Sequence, residues 1–292
     1  MRKDPVGIAL SKEISDFIRV LDPSVQGTKR AVTSAYPGVG EDKATDDYLA
    51  PLDVAGYNYS PERYTEDHKR LPDRVIVATE TFPADSIDYW IDSWEDNWVL
   101  GNFIWTAIDY IGESSIGNNG HNTPSPLACG QYCAQPWPYH ISFCGDIDVV
   151  GGQKPQAYLR RVLWNNSKLE MAVHAPVAKG QQEVIGQWGY PDERQSWTWD
   201  SDTVGESLGV NVYSSHECVK LFLNDKQLDP AGSWTPDPED AKCAVTNRHS
   251  RFTTTYNVPY AAGDLTARSY VGGVLQSTVR ARPGRLSALS VP

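Results

Sequence analysis

The sequence contains few cysteines, an excess of acidic over basic residues and no long hydrophobic segment. Five of its 292 residues are cysteine, so at least one thiol stays unpaired within the chain. Lys and Arg total 26 against 37 Asp and Glu, which gives a net charge of −11. This charge disfavours nucleic acids and anionic membranes as partners. We find no signal peptide and no transmembrane run, and the compartment stays open.

Three of the cysteines stand close together in a loop-like region. Cys129, Cys133 and Cys144 lie near His121 and His140, which suggests a zinc site as one hypothesis. Their spacing, however, is not that of a known zinc module. We therefore expect buried thiols or one disulfide within this loop, and we expect neither a metal nor a cofactor.

Aromatic residues, in contrast, are frequent. Ten Trp and fifteen Tyr would suit stacking against sugars, although aromatic-rich cores are also common in β-sandwiches. With 40% hydrophobic and 22% charged residues, the composition is that of a soluble globular protein. The length allows two domains or one large one.

A glutamate stands at the end of an apolar run in the first half of the chain. Val75 to Ala78 predict a buried strand of a parallel sheet, Glu80 follows that strand, and Pro83 opens a helix. In α/β barrels the ends of the strands carry the chemistry, so Glu80 is a catalytic candidate. The alternative is a strand-end glutamate held in an ion pair.

The segment after Glu80 completes a strand-helix-strand unit. Apolar residues recur there at helical spacing and predict an amphipathic helix. These residues are Ile87, Trp90, Ile91 and Trp94. A second strand over 99–105 would pair in parallel with the first and bring Trp105 next to Glu80. An aromatic ring beside carboxylates is the arrangement that binds a sugar.

The same periodicities extend along the chain. They predict strands at 31–36, 52–59, 75–80 and 99–105, and helices at 6–21, 46–49, 64–70 and 155–165. The first helix carries Leu10, Ile14, Phe17, Ile18 and Leu21 on one face. Four such units are half of an eight-stranded barrel, which would leave two sheet edges exposed.

The pattern changes at about residue 169, where short segments rich in β-branched and aromatic residues begin. Strands are predicted at 206–213, 218–223, 252–258, 264–271 and 274–279, with hairpin turns at Asn224–Asp225 and Gly272–Gly273. Together they predict an immunoglobulin-like β-sandwich. The fold class is therefore α/β followed by all-β.

Several motifs resemble glycoside hydrolase family 2, and its β-galactosidase-like branch in particular. They are ATETFP (78–83), GNFIWTAIDYIGESSIG (101–117), PWPYHISFCGDIDVVGGQKPQAYLRRVLW (136–164) and WGYPDERQSWTW (188–199). The resemblance implies the second half of a TIM-barrel catalytic domain (1–167), an immunoglobulin-like domain (168–285) and the start of a further domain (286–292).

The resemblance also implies roles for individual residues in a retaining mechanism on a β-galactoside or related β-glycoside. Glu80 matches the nucleophile, Tyr59 a tyrosine that donates a hydrogen bond to it, and Trp105 a sugar-facing tryptophan. Further candidates for contacts with sugar hydroxyls are Asn58, Asp109, Glu113 and Asp146. The competing interpretations are a solvent-facing tyrosine, a core tryptophan, and solvated or capping polar residues.

The sequence departs from the family pattern at the acid/base residue. Family members carry this glutamate in an Asn-Glu pair shortly before a stretch that looks like Asp4 to Leu10, and this chain begins after that point. We therefore expect a truncated chain with little activity alone, which forms a homo-oligomer or depends on the missing amino-terminal half. The alternatives are a non-catalytic carbohydrate-binding or assembly module and a structural β-sandwich protein on a packing platform.

Overall fold

The computed structural model describes residues 3–22, 29–122, 139–232, 234–246 and 251–281. The fold is mixed α/β, and the chain divides into two compact units, Met1–Thr106 and Ala107–Pro292. This division lies earlier than the domain boundary predicted between residues 167 and 168, which stays a prediction. The predicted further domain at 286–292 lies outside the described residues.

The first unit alternates helices and strands. Its described elements are α1 (Pro5–Leu21), β1 (Thr33–Pro37), α2 (Lys43–Leu49), β2 (Val54–Asn58), α3 (Tyr64–Arg70), β3 (Ile76–Thr81), α4 (Ser86–Glu95) and β4 (Val99–Ile104). The strands form one parallel sheet in the order β1-β2-β3-β4. The strands and helices predicted for this region are confirmed to within a few residues.

Local sequence signals explain where the first helices begin. Asp4 caps α1, since its carboxylate accepts a hydrogen bond from the Gly7 N–H at 2.8 Å, and Pro5 takes the first helical position. Asp42 caps α2 in the same way, accepting from the Thr45 N–H at 2.9 Å. These caps satisfy backbone donors that a helix start leaves without an intrahelical partner.

One face of the parallel sheet packs on helices through a core rich in tyrosine. Tyr36 and Tyr57 from the strands meet Tyr64 from α3 and Tyr89 from α4, and all four are buried. Ala78 of β3 joins the same cluster. This helix-covered face fixes the sheet and leaves the residues of alternate register for the opposite face.

The predicted buried face of α4 is only partly correct. Ile87 is buried, but Trp94 is 70% exposed and stacks on Trp90 with ring centroids 5.3 Å apart. Tyr89 enters the core instead, together with Ser86. The reason is that α4 packs on the sheet with a face rotated by about one residue from the predicted one. On this face Tyr89 fills the space between the strands and α3.

The apolar face of α1 is exposed. The helix buries its small residues Gly7, Ser11 and Ser15, and the Ser11 hydroxyl donates to the carbonyl oxygen of Tyr48 at 2.8 Å. Small side chains allow close approach to α2, and that approach turns the large apolar side chains outward. The exposed residues are Val6, Leu10, Ile14, Phe17, Ile18, Val20 and Leu21.

The second unit is mostly β-structure. Its described elements are β5 (Tyr110–Ile111), β6 (Gly120–Asn122), β7 (Ile141–Ser142), α5 (Pro155–Leu163), β8 (Leu169–His174), β9 (Gln182–Val184), β10 (Glu193–Arg194), β11 (Ser207–Ser214), β12 (Cys218–Leu223), β13 (Lys226–Leu228), β14 (Ala244–Val245), β15 (Thr253–Pro259), β16 (Leu265–Val271) and β17 (Val274–Arg280). No helix in the described ranges is long and apolar enough to cross a membrane.

Two antiparallel sheets dominate this unit, in the orders β10-β8-β11-β15 and β13-β12-β16-β17. One hydrophobic cluster joins them, with Met171 and Val212 from the first sheet and Leu221 and Leu265 from the second. The sheets therefore pack face to face as a sandwich. The Asn224–Asp225 turn is confirmed, since both residues adopt positive φ angles between β12 and β13.

The disulfide lies in the sandwich rather than in the loop. Cys218 of β12 bonds to Cys243, which lies beside β14, whereas Cys144 is a buried thiol. Sequence spacing did not indicate this pair because the two cysteines are 25 residues apart and meet only after the strands fold. Cys129 and Cys133 lie outside the described residues.

Candidate functional site

The carboxyl ends of β2, β3 and β4 meet at one edge of the parallel sheet. Tyr59 follows β2, Glu80 is the penultimate residue of β3, and Trp105 follows β4. The N–H of Tyr59 donates to the carbonyl oxygen of Glu80 at 3.0 Å, and the N–H of Trp105 donates to that of Thr81, also at 3.0 Å. The three residues thus occupy neighbouring strand ends, while their catalytic roles stay predictions.

A β-bulge decides which face of the sheet carries Glu80. Tyr57 pairs with Ala78 and Asn58 pairs with Glu80, so Thr79 has no partner on β2. Residues directly opposite each other share a face, which places Glu80 with Asn58. Strict alternation from Ala78 would have placed Glu80 on the helix-covered face instead. The pairing therefore assigns Glu80 to the face opposite the helices, in keeping with the known use of bulges to redirect a side chain.

A hydrogen bond to a residue of β2 holds Thr79, the extra residue of the bulge. The Thr79 hydroxyl donates to the side-chain oxygen Oδ1 of buried Asn58 at 2.6 Å. Gly56 makes room for it, since a Cβ at that position would lie 2.8 Å from Cγ2 of Thr79 and 2.4 Å from the carbonyl oxygen of Ser34. Only glycine fits between these two neighbours.

Tyr59 and Trp105 differ in how the chain holds them. Tyr59 adopts φ of 52°, a left-handed conformation that is uncommon outside glycine, and its ring stacks on Phe82 at 4.2 Å. Such backbone conformations cluster at binding and catalytic sites. Trp105 is half-buried, and its peptide bond to Thr106 is cis. Both residues directly follow a strand, so the sheet fixes the positions of their backbones.

Asp109, one of the predicted sugar ligands, is committed to an internal ion pair. It lies in the second unit and is buried. Lys154 Nζ donates to its Oδ1 at 2.9 Å and to its Oδ2 at 3.2 Å, and the Gly145 N–H donates to Oδ1 at 2.7 Å. Both carboxylate oxygens accept hydrogen bonds inside the protein, and the predicted sugar contact of Asp109 stays a prediction.

Asp146 and Glu113 also belong to the second unit. Burial raises the pKa of the Asp146 carboxyl, against the opposing effect of Arg160, whose Nε donates to Oδ2 at 2.6 Å. The other oxygen, Oδ1, is buried and has no hydrogen-bond partner among the described residues. Glu113 is exposed and accepts a hydrogen bond from the Tyr110 hydroxyl; burial and this bond together raise the pKa of Tyr110 to about 12.

The structure therefore groups four of the predicted site residues on adjacent strand ends of the first unit. They are Asn58, Tyr59, Glu80 and Trp105. The other three lie in the second unit. Sequence reasoning missed Thr79 and Gly56, although a glycine in the middle of the strand segment LDVAGYNY is a signal of close backbone approach. The described residues contain no cluster of three or more metal-ligating side chains, and Cys129 and Cys133 lie outside them.

Three comparisons with known proteins bear on this site. Residues 205–276 match the family model of a domain of unknown function, DUF4982. A curated β-galactosidase of Bacteroides ovatus is 23% identical over 271 residues, which cover 77% of this chain and 26% of that protein. A solved glycosyl hydrolase family 2 member from Bacteroides cellulosilyticus is 33% identical with a TM-score of 0.77.

The match to the solved structure covers 97% of this chain and 33% of the other. A second family 2 structure from the same species is 30% identical with a TM-score of 0.71, and the match covers 97% of this chain and 31% of that one. The chain thus spans about a quarter to a third of the length of these relatives. The resemblance carried by the sequence motifs is confirmed: this chain is related to glycoside hydrolase family 2.

Proposed function

We propose that this chain carries part of the active site of a retaining glycoside hydrolase that acts on β-galactosides or related β-glycosides. The observation that supports the proposal most strongly is the position of Glu80. Glu80 lies at the carboxyl edge of the sheet, on the strand between the two that end before Tyr59 and Trp105, and its pairing with Asn58 favours the face opposite the helices for its side chain. The curated relative named above is a β-galactosidase, and the substrate class is carried over from it.

In the proposed mechanism Glu80 attacks the anomeric carbon and displaces the leaving group, which forms a covalent glycosyl-enzyme intermediate. The attacking carboxylate must be ionised, so it needs hydrogen-bond donors around it. We assign the Tyr59 hydroxyl and the Asn58 amide as hydrogen-bond donors to the Glu80 carboxylate and to the sugar hydroxyls. Trp105 offers an aromatic face to the C–H side of the sugar.

The fold proposal follows the same resemblance. We assign the four-stranded parallel sheet and its helices to half of a (β/α)8 barrel, within a domain over residues 1–167. The two-sheet sandwich is assigned to an immunoglobulin-like domain over 168–285. In such a barrel the carboxyl ends of the strands line the active site, which is the edge where Glu80 stands.

A retaining glycosidase needs a second carboxyl group as acid and base. Among the last two residues of each strand β1 to β4 and the residue that directly follows each strand, Glu80 is the one carboxylate. Asp109 and Asp146 are held in ion pairs with Lys154 and Arg160. Without an acid/base the chain alone should turn over poorly, because that group typically contributes about 10²- to 10⁴-fold. We propose that a homo-oligomer or an amino-terminal half supplies the missing part.

The same observation supports a second candidate function. A chain with one strand-end carboxylate and a sugar-binding edge could act as a non-catalytic carbohydrate-binding or assembly module. The two candidates differ in one property, since only the glycosidase forms a covalent bond between Glu80 and the sugar.

The test uses 2,4-dinitrophenyl β-galactoside, whose leaving group departs without acid catalysis. The glycosidase proposal predicts a burst of dinitrophenolate of up to one equivalent per chain, followed by slow turnover. Glu80→Gln should abolish the burst, and Glu95→Gln, at an exposed position of α4, should preserve it. Absence of a burst together with saturable binding of methyl β-galactoside would support the binding module. An equal burst in the Glu80→Gln variant would refute the assignment of the nucleophile.

A further inference from the structure

A side-chain hydrogen bond ties the β-bulge beside Glu80 to the neighbouring strand. Thr79 is the extra residue of β3, and its hydroxyl makes a side-chain hydrogen bond to the neighbouring strand. A bulge without such a bond is free to slip by one residue, and a slip would return Glu80 to the helix-covered face. The hydrogen bond that fixes the bulge therefore also decides on which face of the sheet Glu80 lies.

The bond to Thr79 also orients the amide of Asn58. Because Oδ1 accepts from the Thr79 hydroxyl, the amide nitrogen Nδ2 is turned to the other side. Nδ2 donates to no described residue and is not among the buried polar atoms that lack a partner, so it is reached by solvent although Asn58 as a whole is only 5% exposed. An amide nitrogen carries two N–H donors, and a ligand or water that reaches Nδ2 can accept hydrogen bonds from them.

We propose that Thr79 is a positioning residue that fixes both the register of Glu80 and the orientation of the Asn58 amide, so that Nδ2 donates to a sugar hydroxyl. The inference rests on the proposed function for the identity of the ligand. The geometric part does not rest on it, because the bulge, the 2.6 Å hydrogen bond and the fit against Gly56 exist in the unliganded chain.

Gly56 also helps to fix the position of Thr79. Its missing side chain leaves the space that Cγ2 of Thr79 occupies, 2.8 Å from where a Cβ would stand. Thr79 therefore has one position for its methyl group and one partner for its hydroxyl. Valine at position 79 would keep the shape and lose the hydroxyl, whereas serine would keep the hydroxyl and lose the methyl group.

The experiment is nuclear magnetic resonance of the whole chain labelled with ¹⁵N-asparagine, with the Asn58 side-chain signals assigned through Asn58→Asp. The Thr79→Val variant should shift or broaden the Asn58 amide signals, and Thr79→Ser should restore them. Thr278→Val, at an exposed position of β17, is the matched control and should leave them in place. Unchanged Asn58 signals in Thr79→Val would overturn the proposal.

Titration with methyl β-galactoside separates this proposal from the proposed function. We expect the wild type and Thr79→Ser to bind with perturbed Asn58 signals and Thr79→Val to bind about tenfold more weakly, the effect of misplacing one hydrogen-bond donor. If the wild type shows no response to the sugar, the proposed function fails, while the unliganded spectra still decide the role of Thr79. Equal affinity in Thr79→Val would overturn the positioning role.

Discussion

Among single residues, Asp92 of α4 has an unusual electrostatic environment. Burial raises the pKa of its carboxyl to about 6, and the neighbouring carboxylates of Asp96, Asp88 and Glu95 add to the effect. The ordinary value is 3.8. In the folded state the ionised form is therefore disfavoured relative to the unfolded chain, so ionisation of Asp92 lowers the stability of the fold.

Replacing Asp92 with Asn should stabilise the chain at neutral pH. The penalty sets in as pH rises from about 4, where the unfolded group ionises, and is complete above about 6. We expect a gain of about 1 kcal/mol at pH 7.5 after allowing for solvent screening, and none at pH 3.5. Urea unfolding at both pH values measures the difference, with Asp73→Asn in an exposed turn as the control. A gain of the same size at both pH values would contradict the electrostatic explanation.

Individual residues also show how far the sequence could predict the site. The strand-end position of Glu80 and the neighbouring positions of Tyr59 and Trp105 followed from periodicity and chain order. The bulge at Thr79 did not, because a period of two gives no sign of an inserted residue until the partner strand is known. The ion pairs of Asp109 and Asp146 could not be predicted from the sequence either, since Lys154 and Arg160 approach them only in the folded chain.

Among the helices, α3 is joined to the sheet by a buried carboxylate. Asp67 is fully buried and accepts hydrogen bonds from the Tyr57 hydroxyl at 2.8 Å, from Arg63 at 2.8 Å and from Arg70 at 3.0 Å. Burial acts to raise the pKa of Asp67, but these three donors outweigh it and lower the pKa below its usual value. Its contribution to stability is thus present above the unfolded pKa of 3.8 and is lost as pH falls through the folded value.

The Asp67→Asn substitution should destabilise the chain by about 2 kcal/mol, because it removes the fully buried counter-charge of Arg63 and Arg70 and leaves them only the more exposed carboxylates of Glu41 and Asp46. The neighbouring Glu66→Gln on the same helix is the control. Glu66 pairs with Lys69 at the surface, and both side chains are more than half exposed, so we expect no measurable change in stability. Chemical unfolding at pH 7 compares the two. Similar losses in both variants would show that the burial of Asp67 does not matter.

The elements themselves were largely predictable. The α3 helix begins and ends where its pattern placed it, and so does β12. The packing face of α1 was not predictable, because amphipathic periodicity assumes that large apolar residues face the core. Here Gly7, Ser11 and Ser15 provide the contact instead. The strand β8 was not predicted as a separate element, since Leu169 to His174 lies where the pattern changes from helix to sheet.

At the scale of the whole molecule, the exposed apolar surface of α1 bears on whether the chain associates with another polypeptide. A cavity of about 560 Å³ lies beside it, with walls that include Leu10, Ile14 and Tyr36. The outer edge of β1 is unpaired in the described sheet. Exposed apolar surface and a free strand edge both favour association with another polypeptide, in line with the proposed homo-oligomer or partner half.

The chain on its own should therefore self-associate in a concentration-dependent way. Ile14→Glu places a charge in the middle of the exposed surface of α1 and should shift the chain towards monomer. Val204→Glu changes a valine of the second unit that is more exposed than Ile14, at 63% against 48%, and should have no effect. Sedimentation velocity over a range of concentrations measures both. A wild-type chain that stays monomeric throughout would contradict this interpretation of α1.

The central claim is that Glu80 is the nucleophile of a retaining glycosidase, and covalent labelling tests it most directly. A 2-deoxy-2-fluoro-β-galactosyl fluoride needs no acid to lose fluoride and forms a slowly hydrolysed glycosyl-enzyme. After incubation with the chain, peptide mass spectrometry should find one label, on Glu80, and none on the Glu80→Gln variant. A label on another carboxylate, or no label on the wild-type chain, would contradict the account.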